Sequence, residues 1–173
     1  MDSKDVTSST AASGTVEQLI ACEHAAIRAH LAYLREFAVI LPALDEATTS
    51  SRTAAILDFL TTGLLPHAAT EEAVLYPAIE TLIGAGSTRT MTLDHAAITD
   101  LVTELATVVS GHQDPAARAE AQRLLLVLDG LVSTHLWKED TVYVPLLAGL
   151  DPAAYTALHA GIAAHAGHQV HGH

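Results

Sequence analysis

The sequence predicts an all-α protein, an antiparallel up-down four-helix bundle followed by a short fifth helix at the C-terminus. Three observations point there. Half of the 173 residues are hydrophobic but only 4% are aromatic, with Ala and Leu dominant, a composition suited to close helix packing rather than a β-sandwich. Apolar residues recur at steps of three and four through four long segments, which is the spacing of one helix face. The chain is also two copies of one unit. HAATEEAVLYP (67–77) is echoed by HLWKEDTVYVP (135–145), and Glu23-His24-Ala25-Ala26-Ile27 by Asp94-His95-Ala96-Ala97-Ile98.

Each element has its own signals. Residues 1–13 are polar and read as a disordered leader, 14–150 as the bundle, and 151–173 as the short helix and a His-rich tail. The first helix is expected from Thr15, where Thr15-Val16-Glu17-Gln18 resembles a capping box, to just before Pro42. The second should begin after Ser50-Ser51 and stop at Gly84-Ala85-Gly86, with a kink at Pro66, one residue before His67. The third spans about 88–110. Asp114-Pro115, an N-cap followed by proline at the first helical position, opens the fourth, which runs to about Ala148. Asp151-Pro152 opens the fifth.

The apolar stripes give each helix an inward face. They are Val16, Ile20, His24, Ile27, Leu31, Leu34, Ala38 and Leu41 on the first helix, and Ile56, Leu60, Gly63, His67, Glu71, Val74 and Ala78 on the second. The third carries Met91, His95, Ile98, Val102, Leu105 and Val109, the fourth Leu124, Leu128, Leu131, His135, Glu139, Val142 and Leu146. Four histidines and two glutamates therefore lie on stripes that must face the core. Residues i and i+4 differ by about 40° around a helix, so His67 projects with Glu71, and His135 with Glu139.

Charge and cysteine content narrow the class. A net charge of −12 argues against nucleic acid and against anionic membrane surfaces. The single cysteine, Cys22, excludes an intrachain disulfide and fits a reducing compartment. The N-terminus has no apolar signal-peptide core, and the aliphatic run at 124–128 is far too short to span a bilayer. The expectation is a soluble cytoplasmic protein acting as a monomer, with a weak dimer as the alternative.

A lone core histidine is ordinarily hydrogen-bonded, and a lone His-x-x-x-Glu is ordinary helix pairing. Six such groups on four core stripes are different. Each would cost about 1–3 kcal/mol or more if buried unpaired, a sum rivalling the stability of a whole domain, about 5–15 kcal/mol. Metal ions remove that cost. Imidazole and carboxylate without thiolate suit Fe, Mn or Zn, and six ligands in symmetric halves imply two ions. The natural division puts His24 and His67 on one and His95 and His135 on the other, with Glu71 and Glu139 bridging. No Glu-x-x-His or His-Glu-x-x-His occurs, so neither ferritin-like nor zincin ligation applies.

In order, spacing and repetition, residues 15–147 resemble the hemerythrin-like HHE cation-binding family, H…HxxxE…H…HxxxE. The resemblance implies a non-haem, oxygen-bridged di-iron site held by His24, His67, Glu71, His95, His135 and Glu139, with Mn or Zn less favoured than Fe. Oxygen-carrying members have a further His where this chain has Thr99, and an acid five residues after the last His, where Asp140 stands beside Glu139. Glu139 is preferred as ligand, because i+5 points about 140° away from His135. Without the extra His, both ions should keep a position open. The expected partners are thus O2, H2O2 or NO in redox or nitrosative stress, including peroxide breakdown. The alternatives are an oxygen- or iron-sensing module, or iron storage and delivery.

Neighbouring residues are read more plainly. Glu23, Glu72, Asp94 and Asp140 adjoin ligands and by position alone read as solvated acids, partnership with imidazole N–H groups being the second reading. Tyr143, one turn after Glu139, reads as a core-edge tyrosine, donation to the bridging carboxylate or contact with a metal being the second reading. Tyr76 falls about 180° from His67 on a regular helix and is left outside the site. His30 and His112 are assigned to the surface. The tail histidines His159, His165, His168, His171 and His173 could bind metal weakly.

Overall fold

A computed structural model describes residues 14–110 and 114–169, the last five without side-chain detail. The leader at 1–13, His112, and the tail residues His171 and His173 lie outside the described residues. Among the described residues the chain is helical, with no strand. Helix α1 is Val16–Ile40, α2 runs 46–83, α3 is Arg89–Val109, α4 runs 115–149 and α5 is Pro152–Gln169. Helices α1 to α4 form the bundle in cyclic order, each packed on the next and α4 on α1.

The helix ends follow local chemistry. Thr15 and Gln18 form the expected capping box. Gly84 at φ +102° and Gly86 at φ +78° end α2 in backbone conformations that glycine tolerates. Asp114 caps α4 through Ala116 N. The start of α2 is a correction, since it begins at Glu46 rather than after Ser51. Asp45 is its N-cap, accepting from Thr48 N at 2.8 Å, and Glu46 follows in the first turn, where the helix dipole favours an acid.

Three turns are wider than α-helical, at Leu60–Leu64, Glu71–Leu75 and Glu139–Tyr143. Each is followed by X-Pro: Leu65-Pro66, Tyr76-Pro77 and Val144-Pro145. Proline has no N–H to continue the ladder, and its ring clashes with the carbonyl four residues back. A π turn moves that carbonyl aside. The amide before each proline instead bonds five back: Leu65 to Leu60, Tyr76 to Glu71, Val144 to Glu139. Proline at 66, 77 and 145 is thus accommodated by a widened turn.

The extra residue in the π turns at Glu71–Leu75 and Glu139–Tyr143 shifts the inward stripe that follows by one place. The expected α1 stripe is buried throughout. On α2, however, Val74 and Ala78 are only half-buried, and Leu75, Tyr76 and Ile79 fill the core instead. On α4, Val142 is exposed and Leu147 is buried in place of Leu146. These corrections share one cause, a helix phase that a uniform 3.6-residue period does not carry.

The core divides into two apolar clusters. One, around Phe37, Leu60 and Leu128, fills the end of the bundle near the α1–α2 connection. The other, around Leu75, Ile79 and Met91, is closed by Leu158 and Ile162 of α5. Tyr155 and His159 fasten α5 to the start of α1, Tyr155 Oη accepting from Val16 N at 3.0 Å and donating to Glu17. His159 Nε2 donates to Gly14 O at 2.8 Å, so this member of the tail serves as a helix fastener.

A Cβ on Gly161 would stand 2.9 Å from Val74 Cγ1, whereas one on Gly130 would meet nothing within 4 Å. Gly161→Ala should therefore destabilise the protein by about 1–3 kcal/mol through overpacking. Gly130→Ala in α4 should stabilise it by about 0.5–1 kcal/mol. Denaturant unfolding checks the pair, and equal midpoints would refute the close packing of α5 on α2.

Candidate metal centre

The layer between the two apolar clusters is polar and buried. His24, Glu71, His67, His95, His135 and Glu139 all occur there, and none is more than 6% exposed. Helix α1 supplies His24, α2 His67 and Glu71, α3 His95, and α4 His135 and Glu139, each one turn from apolar residues of the same stripe. All six residues singled out from the sequence are brought together.

Their Nε2 atoms converge on the carboxylates. Glu71 Oε1 lies 3.0 Å from His67 Nε2 and 3.5 Å from His24 Nε2. Its Oε2 lies 3.3 Å from His95 Nε2 and 3.9 Å from His135 Nε2. Glu71 therefore spans the two histidine pairs, one oxygen to each. Glu139 Oε2 is 3.5 Å from both His24 Nε2 and His135 Nε2.

Each imidazole is fixed from behind by an acid of the adjacent helix. The Nδ1 of His24 meets Asp140 at 2.7 Å, that of His67 meets Glu23 at 2.9 Å, that of His95 meets Glu72 at 2.8 Å, and that of His135 meets Asp94 at 3.2 Å. The order is a ring: α1 holds the histidine of α2, α2 that of α3, α3 that of α4, and α4 that of α1. Arg28 pairs with Asp140 and Lys138 with Asp94. These four acids are partly exposed, as their positions predict, but they do not merely face solvent. Their contacts orient Nε2 inward and make it a better electron-pair donor. The repeated acid beside each core His or Glu was the available sequence signal.

Several buried polar atoms in the layer form no hydrogen bond: His24 Nε2, His67 Nε2, both oxygens of Glu71 and Glu139 Oε2. Such atoms are costly in an apolar interior unless something else satisfies them. They fall into two groups whose donor atoms lie within 4.8 Å of one another, His24–His67–Glu71–Glu139 and Glu71–His95–His135, sharing Glu71. A nitrogen and oxygen donor set of this kind fits metal cations.

The sequence comparison agrees with the geometry. The profile of the hemerythrin HHE cation-binding domain matches residues 15–156. The chain belongs to that family. No curated protein and no solved structure matched it.

Two differences within this HHE domain concern residues near the ligand layer. Thr99 is exposed, and its hydroxyl donates to His95 O at 2.9 Å, so it contributes nothing to the centre. Tyr76 is a correction in the opposite sense. It is 3% exposed, donates to Glu139 Oε1 at 2.7 Å, and lies 3.3 Å from His95 Nε2 and 3.4 Å from His135 Nε2. The π turn at Glu71–Leu75 places it over Glu71 as an i+4 residue would be, cancelling the half-turn offset from His67. The glutamate-to-proline spacing before Pro77 was the signal that could have revealed it. Tyr143 is at the core edge, donating to Ser87 O at 3.3 Å, and His30 is exposed and stacked on Phe59.

Electrostatics in the HHE layer are strongly coupled. Burial by itself would lower the pKa of His67, but Glu71 and then Glu23 outweigh it and raise it to about 10. His135 is likewise raised to about 10, with Glu139 and Glu71 overcoming burial. Burial pushes the Glu71 carboxyl up, yet His67, His135 and His24 hold it well below the usual range. Burial, with Glu71 and Glu139, drives the Tyr76 hydroxyl far above its ordinary value and keeps it protonated.

Two predictions follow from this arrangement. Cations must displace protons from His67 and His135, so metal loading should release protons and tighten as pH rises towards about 10. Calorimetry in buffers of different ionisation enthalpy measures the release; no buffer dependence would contradict the protonated cluster. Asp140→Asn should weaken metal binding about 10–100-fold without abolishing it, because it loosens His24 rather than removing a donor. A chelator competition titration reads this, and complete loss of metal would make Asp140 a ligand.

Proposed function

We propose that this protein is a non-haem di-iron protein that reacts with O2, peroxide or NO. His24 and His67 would hold one ion and His95 and His135 the other, with Glu71 and Glu139 between them. The observation that carries the reading is Glu71, whose two oxygens face the two histidine pairs at 3.0 and 3.3 Å and have no hydrogen bond of their own. Iron is preferred to Mn or Zn because a thiolate-free set of imidazoles and carboxylates suits it, and because the family resemblance implies it.

When bound, the ions supply Lewis acidity and a redox couple. The chain supplies the rest. The four outer acids fix the imidazole rings, so little reorganisation is needed when charge in the centre changes. Two apolar clusters exclude bulk water from the layer. Tyr76 holds a proton at Oη, hydrogen-bonded to Glu139 inside that layer. Thr99 offers no donor to the centre, which supports reaction with small molecules over reversible oxygen carriage.

Among the described residues no helix is long and apolar enough to cross a membrane, and Cys22 is free and exposed.

Protein from iron-replete cells should contain two irons per chain by elemental analysis, and Glu71→Ala should lose both through loss of the shared carboxylate. One metal per chain, or zinc alone, would overturn the di-iron reading. Stopped-flow mixing of the reduced protein with O2, H2O2 and NO should show oxidation or reaction with at least one of them. Reversible O2 uptake released under vacuum, with no reaction toward the other two, would make it a carrier.

A further inference from the structure

The two halves of the centre are not chemically equal, although the sequence repeat makes them so in their histidines. The group around His24 and His67 has four donor residues, counting Glu71 and Glu139. The group around His95 and His135 has three, with Glu71 as its carboxylate, while Glu139 Oε2 lies 3.5 Å from His135 Nε2 but outside that group. A fourth oxygen stands beside that poorer group, the hydroxyl of Tyr76.

The spacing suits a common ion. His95 Nε2 and His135 Nε2 are 2.9 Å apart, and Tyr76 Oη lies 3.3 and 3.4 Å from them. Donors about 2.0–2.2 Å from one cation lie roughly 2.8–3.6 Å from each other. Glu71 Oε2, 3.3 Å from His95 Nε2, is on the same side. The ring of Tyr76 stacks on His95 with centroids 5.5 Å apart and planes 18° from parallel, which limits its freedom to turn away.

The repeat shows that this is a property of one half only. Tyr76 is nine residues after His67, and its counterpart nine residues after His135 is Val144, which has no donor. Both follow a π turn that begins at the ligand glutamate. The same backbone device thus presents a phenol to the His95–His135 pair and an aliphatic side chain at the matching position of α4.

We propose that Tyr76 Oη is a ligand of the ion held by His95 and His135, giving the centre one phenol-ligated and one phenol-free metal. This rests on the two-ion reading above. On ligation to a ferric ion the hydroxyl proton leaves, and Glu139 Oε1, 2.7 Å away, is the base placed to receive it.

The test is resonance Raman spectroscopy of the ferric full-length protein excited in the visible, with metal content measured on the same sample. Enhanced tyrosinate ring modes are expected. They should vanish in Tyr76→Phe and persist in Tyr143→Phe, whose hydroxyl is bonded to Ser87 O. Chelator competition should show the second binding step weakened about tenfold or more in Tyr76→Phe, with the first step unchanged. Wild-type protein that holds two irons without tyrosinate modes would overturn the ligand assignment while leaving the di-iron reading intact. Modes surviving in Tyr76→Phe would overturn it as well. Wild-type protein that cannot hold two ions would instead remove the reading on which it rests.

Discussion

Everything in this bundle is arranged around one buried polar layer. Four imidazoles and two carboxylates meet between two apolar clusters, where an unsatisfied lone pair is costly. The layer is tolerable because each imidazole has two ends with different duties. Its Nδ1 is bonded outward to an acid on the neighbouring helix, and its Nε2 is left to face the centre. That ring of contacts links all four helices at the same depth, so helix rotation and imidazole orientation are fixed by the same bonds.

The acids of that ring are not equally compensated. Asp140 and Asp94 sit beside Arg28 and Lys138, and both carboxyls are held below their usual range, with burial opposing the nearby imidazoles and cations. Partial exposure keeps these acids in contact with water while they grip a buried ring. This resolves a conflict in placing charge near a low-dielectric centre: the acid that orients the ligand need not itself be fully desolvated.

Proline and the π turn together set which side chains of a regular repeat reach the polar layer. A uniform α-helix through Glu71 would carry Tyr76 away from the centre and Val74 towards it. The widened turn before Pro77 reverses that, and the same device before Pro145 brings Leu147 rather than Leu146 into the core. The repeat in the histidines and glutamates is therefore retained, while a single difference at the matching positions, Tyr76 against Val144, makes the two sides of the layer chemically distinct.

The sequence by itself determined the helices, their caps at Thr15 and Asp114, and the six residues of the layer. These depend on local hydrogen bonding and on a periodicity that neighbouring residues carry along the chain. Up to Glu71 and Glu139 most of the inward stripe was legible, completely so on α1, with Val132 rather than Leu131 buried on α4. Beyond Glu71 and Glu139 it was not, because one extra residue in a turn shifts the phase of all that follows. The roles of Glu23, Glu72, Asp94 and Asp140 were also beyond it. Each acid bonds a histidine on a different helix, and which helix stands beside which, at what rotation, is settled only when the four pack together.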